Sequence, residues 1–299
     1  DKEQVHRSVD PEYFAKRGYV VVAQDVRGRY NSEGSYYHGV TEAEDGYDTI
    51  EWIAQQPWSN GKVGMTGISY LGAVQSAAAI AGPSHLASIF HVKAPSNYYF
   101  KNFREGGALM GCMIPIVFMF AATSKDAMSN PIIEKALASA KVAEWMTRHP
   151  LKRGCSPLKM TPSYEQWLFD VMAHENYDDY WKSVPLWVVD ENWDRHADVA
   201  AYCIGGWYDR NDETTYYMGL TKRKSKPVKL LMGPWIHQTW DSYSGDVDFG
   251  PDAALSYEEY NALQLRWFDQ ILKGLDTGIF DEPPVKIFVM GGGDGKKNR

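Results

Sequence analysis

Apolar and polar positions follow two different periods along the first third of the chain. Residues 19–24 and 87–92 are short runs rich in β-branched and other apolar residues, which predict strands buried on both faces of a parallel sheet. Residues 11–16 predict the end of a helix, and apolar positions recur at helical spacing over residues 42–55. Strands that alternate with helices in this way predict right-handed crossover units and a sheet of the α/β class.

The pattern changes between residues 96 and 199. Apolar side chains recur at helical spacing over residues 131–148 and 164–173, with no clear strand between them, so we predict a helical cap inserted into the sheet. The insertion contains many bulky side chains, which suit either a lid over an apolar pocket or an ordinary helical core. They include Phe100, Phe103, Met113, Phe118, Phe120, Trp145, Trp167, Phe169, Tyr180 and Trp181.

The sheet pattern resumes after the insertion. Residues 200–204 and 228–232 predict two further buried strands, and residues 257–273 predict an amphipathic helix. The predicted division is residues 1–95 and 200–282 for the two parts of an α/β core, 96–199 for the cap, and 283–299 for the first strand of a C-terminal β domain.

A serine lies at the sharpest predicted turn in the chain. Residues 62–75 predict a short strand that turns directly into a helix at Ser69, a geometry that exposes a hydroxyl group for attack. Gly67 allows the neighbouring backbone to approach the turn. The usual G-x-S-x-G pattern is incomplete, because Leu71 occupies the second glycine position and Gly72 follows it. On this pattern alone, a structural serine that caps a helix stays an alternative.

Two further polar side chains follow strand ends. Asp209 comes after the strand over residues 200–204, and His237 comes after the strand over residues 228–232. Parallel strands end at one edge of the sheet, so these side chains are expected to lie near Ser69. A serine needs an imidazole base and an orienting carboxylate, and the order Ser, Asp, His is that of α/β-hydrolases. Asp212 is the nearest alternative carboxylate, and seven other histidines lack a strand-end setting.

Composition excludes several function classes. The chain has 299 residues, 44% hydrophobic and 23% charged, with a formal net charge of −7 and no clustered basic stripe, so nucleic acid is not an expected partner. The most apolar run, residues 110–122, is shorter than the roughly 20 residues of a membrane span. Cys112, Cys155 and Cys203 suggest neither a disulfide framework nor a metal site. We expect no cofactor and no metal, and the sequence leaves localisation open.

Several motifs are distinctive, namely DVRGR at 25–29 with SEG at 32–34, GISYLG at 67–72, GWYD at 206–209, GPWIH at 233–237, LRWFD at 265–269 and PVKIFVM at 284–290. Together they resemble those of the CocE/NonD hydrolases, a family that includes cocaine esterase and glutaryl acylases and is related to X-Pro dipeptidyl-peptidases. The resemblance covers almost the whole chain. It implies an α/β-hydrolase fold in which Ser69 is the nucleophile, Asp209 the acid and His237 the base, while the backbone N–H of Tyr70 serves the oxyanion hole.

The chain also departs from the pattern of this family. The resemblance implies a second oxyanion donor, a tyrosine hydroxyl, just ahead of Asp1, together with about three earlier strands and a C-terminal jelly-roll domain, and all of these are expected to be missing from this sequence. The resemblance also implies that relatives selective for α-amino groups have a carboxylate at the position that Leu71 occupies here. This difference makes an α-amino acid substrate a weaker expectation.

The sequence therefore predicts a serine hydrolase that cleaves carboxylic esters or amides through an acyl-enzyme. Its partner is a small-molecule substrate rather than nucleic acid or a membrane, and a homo-oligomer stays open. One alternative is an Xaa-Pro dipeptidyl-peptidase that uses the same triad. The other is a catalytically weak, hydrolase-like binding module.

Overall fold

A computed structural model describes residues 9–148, 150–209 and 212–290. The α-helices are α1 (Pro11–Ala15), α2 (Glu42–Ala54), α3 (Tyr70–Ala81), α4 (Met113–Ala122), α5 (Lys125–Ser129), α6 (Pro131–Ala138), α7 (Val142–Thr147), α8 (Pro162–Ala173), α9 (Asp179–Lys182), α10 (Asp212–Thr221) and α11 (Tyr257–Phe268). The strands are β1 (Val63–Ile68), β2 (Leu86–Val92), β3 (Arg104–Glu105), β4 (Ala108–Leu109), β5 (Ala200–Gly206), β6 (Val228–Gly233), β7 (Tyr243–Ser244), β8 (Val247–Asp248) and β9 (Val285–Ile287).

The central sheet has five parallel strands in the order β1-β2-β5-β6-β9. All seven residues of β5 are buried, and β2 and β6 are almost as enclosed, which explains their continuous apolar sequences. Gly206 of β5 is in register with Gly233 of β6, so these strands end at the same level. The α/β-hydrolase fold and the strands expected near residues 87–92, 200–204 and 228–232 are confirmed.

The strand expected over residues 19–24 is wrong. The segment has no strand assignment, and Val20 and Val22 are 58% and 43% exposed. β1 is the edge strand of the sheet on this side, and a cavity of about 460 Å³ lies between it and the segment. An apolar run becomes a strand only when a neighbour pairs with its backbone, and β1, whose partner in the described sheet is β2, does not pair with this segment.

The segment after residue 283 also differs from expectation. We expected it to be the first strand of a separate β domain, but Val285–Ile287 forms β9, which pairs in parallel with β6 at the edge of the central sheet. Its short apolar sequence suits either place, because pattern alone does not identify the partner of a strand. Residues 291–299 lie outside the described residues, and the predicted domain boundaries stay predictions.

Helices form the insertion, as its periodicity predicts. Within its described residues lie α4 to α9 and a small hairpin of β3 and β4. The helix expected over residues 131–148 is divided into α6 and α7. Trp167, Trp181 and Trp187 are almost fully buried, so these bulky residues form a helical core rather than an open pocket wall. In the part of the chain that the structure describes, no helix is long and apolar enough to cross a membrane.

Candidate active site

Ser69 lies on a strained turn between β1 and α3. Its φ and ψ angles are +63° and −124°, a conformation that non-glycine residues rarely adopt. The backbone N–H of Ser69 donates to the carbonyl of Val92 at the end of β2, at 2.9 Å. The turn is therefore held by the sheet itself, and the hydroxyl group stands at the carboxyl edge of the strands.

Two glycines allow this turn to form. A Cβ atom at Gly67 would lie 2.5 Å from the Cβ and the carbonyl oxygen of Leu71, and one at Gly72 would lie 2.6 Å from the Cβ of Ala94. Neither contact is sterically possible without movement. Gly72 thus provides the close approach of α3 to the sheet, and Leu71 is tolerated because its side chain points outward and is 46% exposed.

Backbone hydrogen bonds join the loops after β5 and β6. The N–H of Trp207 donates to the carbonyl of Gly233 at 2.8 Å, and the N–H of Tyr208 donates to the carbonyl of Trp235 at 3.0 Å. Gly206 makes this possible, because a Cβ there would lie 2.3 Å from the Trp235 oxygen. The segment that leads to Asp209 is therefore fixed against the segment that leads to His237.

The structure brings Ser69, Asp209 and His237 together. His237 Nε2 is 2.8 Å from Ser69 Oγ, and His237 Nδ1 is 2.9 Å from Asp209 Oδ2. A carboxylate only accepts hydrogen bonds, so the Nδ1–H donates to Asp209 and Nε2 accepts from the serine hydroxyl. The carboxylate side chain is 8% exposed and the imidazole is 36% exposed, so part of the imidazole ring is accessible to solvent.

Tyr70 begins α3 directly after the serine. The first N–H groups of a helix have no acceptor within the helix, so its backbone N–H is available at the position expected of an oxyanion donor. The Tyr70 hydroxyl donates to the buried carboxylate of Glu42, which also accepts from the N–H groups of Gly39 and Thr41 at 2.9 and 3.0 Å. Burial raises the pKa of Glu42 and that of Tyr70. The tyrosine ring is fixed at one end by the backbone of α3 and at the other by the hydrogen bond from its hydroxyl to Glu42.

The other described histidines pair with different side chains. These pairs are His38 with Tyr36, His85 with Glu51, His91 with Glu213, His174 with Asp178 and His196 with Tyr216. His6 and His149 lie outside the described residues, as does the side chain of Asp212. Among the residues described, no group of three or more potential ligands could hold a metal ion.

A second serine, histidine and carboxylate meet inside the core. His91 Nε2 is 3.0 Å from Ser76 Oγ, and both oxygens of Glu213 are 2.9 Å from His91 Nδ1. All three side chains are at most 1% exposed, so no substrate reaches them. Residue types alone do not distinguish this buried arrangement from the accessible one around Ser69. Only the position of Ser69 at a strand end does so.

Sequence analysis missed Lys93 and Glu42, which contact the segments around the three residues. Lys93 follows the last residue of β2, and its buried ammonium donates to the carbonyls of Ile236 and Thr239. A lysine directly after a buried strand, at the edge where sites are expected, is the signal that could have identified it. The sequence gives no comparable indication for Glu42, because an acidic residue in the first turn of a helix such as α2 is common.

Comparisons with known proteins agree with this arrangement of fold and motifs. The family model described as X-Pro dipeptidyl-peptidase (S15 family) matches residues 1–239. The chain is 29% identical to a cocaine esterase of Rhodococcus sp. (strain MB1 Bresler) over 286 residues, which cover 93% of the chain and 49% of the esterase.

Solved structures give the same result for the fold. An aminopeptidase from a marine sediment Thaumarchaeota archaeon superposes with a TM-score of 0.69 at 25% identity, covering 94% of this chain and 48% of that one. A CocE/NonD family hydrolase from Staphylococcus aureus gives 0.64 at 21% identity, covering 94% and 41%. The chain thus spans about half the length of the relatives it matches. It belongs to the X-Pro dipeptidyl-peptidase (S15) family and has the fold of the CocE/NonD hydrolases.

Proposed function

We propose that this chain carries the catalytic triad of a serine hydrolase that cleaves carboxylic esters or amides through an acyl-enzyme. The observation that carries the proposal is the continuous hydrogen-bonded series from Ser69 Oγ through His237 to Asp209, with distances of 2.8 and 2.9 Å. Membership of a hydrolase family and likeness to an esterase support it.

Each residue has a defined role in this mechanism. Ser69 Oγ attacks the carbonyl carbon while its proton passes to His237 Nε2, and Asp209 stabilises the imidazolium that forms. The tetrahedral intermediate collapses when the same proton is given to the leaving alcohol or amine. Water then attacks the acyl carbon as it loses a proton to His237, and the second intermediate collapses when His237 gives that proton to Ser69 Oγ, which releases the acid and the free serine.

Tyr70 is proposed to stabilise the negative charge of both intermediates through its backbone N–H. The hydrogen bond from its hydroxyl to Glu42 fixes the ring, and this in turn limits movement of the first turn of α3. Donors that are fixed before the reaction stabilise the oxyanion without reorganisation, and removal of one typically costs about 10²- to 10³-fold in kcat.

The test is turnover of a simple aryl ester by the natural full-length polypeptide. Ser69→Ala and His237→Gln are each expected to lower kcat/KM at least about 10³-fold while the thermal unfolding midpoint stays close to that of the wild type. His85→Gln is the matched control, since His85 Nδ1 also contacts a carboxylate, Glu51, at 2.7 Å. Equal activity of Ser69→Ala and wild type would exclude Ser69 as the nucleophile.

Labelling by a fluorophosphonate separates an enzyme from a hydrolase-like binding module. A serine activated by His237 displaces fluoride and becomes covalently phosphonylated, whereas an inert hydroxyl does not react. We expect one label per chain, which is absent in Ser69→Ala and present in His85→Gln. Absence of labelling in the wild-type full-length polypeptide would contradict the proposal.

An Xaa-Pro dipeptidyl-peptidase is the second candidate, favoured by the description of the matching family. It would use the same three residues but would also need an anchor for the free amino group of the peptide. Leu71, where α-amino-selective relatives are expected to have a carboxylate, offers no counter-charge. Parallel assays with an aryl ester and an Xaa-Pro anilide distinguish the candidates, and we expect the ester to have the higher kcat/KM.

A further inference from the structure

Lys93 connects the sheet to the loop that carries His237. It directly follows β2, and its backbone N–H donates to the carbonyl of Ile204 in β5 at 2.8 Å. Its φ angle is +47°. Among the described residues other than glycine, Tyr30 and Ser69 are the others with a positive φ angle. Such a conformation is unfavourable for lysine and persists only where surrounding contacts impose it.

The side chain of Lys93 is buried, although no carboxylate in the described part of the chain lies within hydrogen-bond distance of its ammonium group. It is 5% exposed, and its Nζ donates to the carbonyls of Ile236 and Thr239 at 2.7 and 2.8 Å. The Nζ atom also lies 3.7 Å from the centre of the Trp240 ring, a favourable cation–π contact. The two acceptor carbonyls precede and follow His237, so one ammonium group holds the backbone on both sides of this residue.

We infer that Lys93 is a positioning residue for His237, which fixes the loop over residues 236–240 and places a positive charge beside the triad. This inference rests on the proposed function. The charge favours ionised Asp209 and neutral His237, the two states that the resting triad requires. The charge thereby extends activity toward acid pH, where an unassisted imidazole would be protonated.

The charged groups around Lys93 determine the range of pH in which this effect operates. Asp209, after β5, and Asp241, after His237, both favour the ammonium form, while Glu213 of α10 accepts the neighbouring N–H of Ala94. Burial dominates and lowers the pKa of Lys93 to about 7. The charge is therefore present below pH 7 and is lost as the pH rises through 7, although a neutral amine still donates to both carbonyls.

The experiment is the pH profile of kcat/KM for an aryl ester in the natural full-length polypeptide. Lys93→Met removes both the hydrogen bonds and the charge. We expect kcat to fall about tenfold at pH 6 with KM little changed, and the acid limb to move up by at least about 0.5 pH unit. The deficit should be smaller at pH 8, where the wild-type lysine is already neutral.

Two further variants separate the hydrogen bonds from the charge. Lys93→Gln keeps an N–H donor without a charge, so it should retain more kcat and show the same shift of the acid limb. Lys93→Arg keeps the charge, so its acid limb should stay near that of the wild type. If Lys93→Met does not fold, Lys93→Gln alone decides the question.

Lys229→Met is the matched control. Lys229 of β6 is also 5% exposed, and its Nζ donates at 2.5 Å to a backbone carbonyl, that of Glu282 in the segment before β9. A merely structural role for Lys93 predicts the same effect in both variants, namely a lower unfolding midpoint and an unchanged pH profile. That result, together with Ser69-dependent turnover in the wild type, would overturn the inference about Lys93 alone. If the wild type shows no Ser69-dependent turnover, the proposed function fails instead.

Discussion

At the scale of single residues, the strained turn at Ser69 depends on two neighbours without side chains, Gly67 and Gly72. A serine with a φ angle of +63° is held in a conformation that costs about 1–3 kcal/mol, so other contacts must compensate for it. The hydrogen bond to Val92 and the close approach of α3 to β1 supply them. That approach is possible because Gly67 and Gly72 have no side chains. The two glycines therefore help to stabilise the turn at Ser69 and take no part in the proposed reaction.

Gly67→Ala tests this argument. The added methyl group would overlap Leu71, so we expect the free energy of unfolding to fall by about 1–3 kcal/mol, measured by urea denaturation. Displacement of the turn should also lower kcat for an aryl ester. Gly111→Ala is the control, because a Cβ at Gly111 would meet its nearest neighbour, Met146, at an ordinary 3.7 Å. Equal effects of the two substitutions would contradict the argument.

At the scale of elements, a buried arginine joins the cap to the loop that precedes α2. Arg29 lies in the loop between α1 and α2, within the DVRGR motif, and it is 5% exposed. Its guanidinium donates to the carbonyl of Phe120 at 3.1 Å, to the hydroxyl of Tyr164 at 2.9 Å and to Oγ1 of Thr123 at 2.5 Å. These acceptors belong to the end of α4 and to α8, where a positive charge also complements the helix dipole of α4.

Arg29→Met should therefore loosen the cap. The carbonyl of Phe120 and the hydroxyl of Tyr164 would lose a charged partner, so we expect a loss of about 1–3 kcal/mol in the free energy of unfolding. Limited proteolysis should cut between residues 113 and 173 faster than in the wild type. Arg153→Met, at a half-exposed cap arginine, should change stability by less than about 1 kcal/mol. Unchanged proteolysis in Arg29→Met would argue against this connection.

Some of these elements could be predicted from the sequence, and others could not. Elements with strong internal signals were predicted correctly: the continuous apolar sequence of β5, the helical period of α2, and the turn at Ser69. The strand over residues 19–24 failed because a strand needs a partner, and β1 lies across a cavity from it. Lys93 was missed for a related reason, since its acceptors are more than 140 residues away in sequence.

At the scale of the whole molecule, two histidines are buried without charge. His38 stacks on Trp167 with ring centres 4.6 Å apart and contacts Tyr36 at 2.9 Å, while His196 contacts Tyr216. Burial lowers the pKa of His38 to about 3, with a contribution from the charge of Arg29, and burial lowers the pKa of His196 to about 4. Both values lie below the value of about 6.5 expected in the unfolded chain.

These shifts predict acid sensitivity with a definite sign. A histidine whose pKa is lower in the folded state contributes stability that is complete above about pH 6.5 and decreases as the pH falls below it. Each histidine contributes a slope of up to about 1.36 kcal/mol per pH unit, and the slope ends near its folded pKa. Glu42 and Glu213, whose pKa values are raised by burial, act in the opposite direction, so the slope must be assigned by substitution.

His38→Phe keeps the aromatic contact with Trp167 but cannot bind a proton. In urea denaturation between pH 4 and 6.5, the free energy of unfolding of this variant should fall less steeply than that of the wild type, by up to about 1.36 kcal/mol per pH unit. The loss of the hydrogen bond between Tyr36 and His38 lowers stability equally at every pH and therefore does not alter the slope. Parallel curves for variant and wild type would mean that folding does not lower the pKa of His38, which would contradict its burial among Tyr70, Phe103 and Trp167.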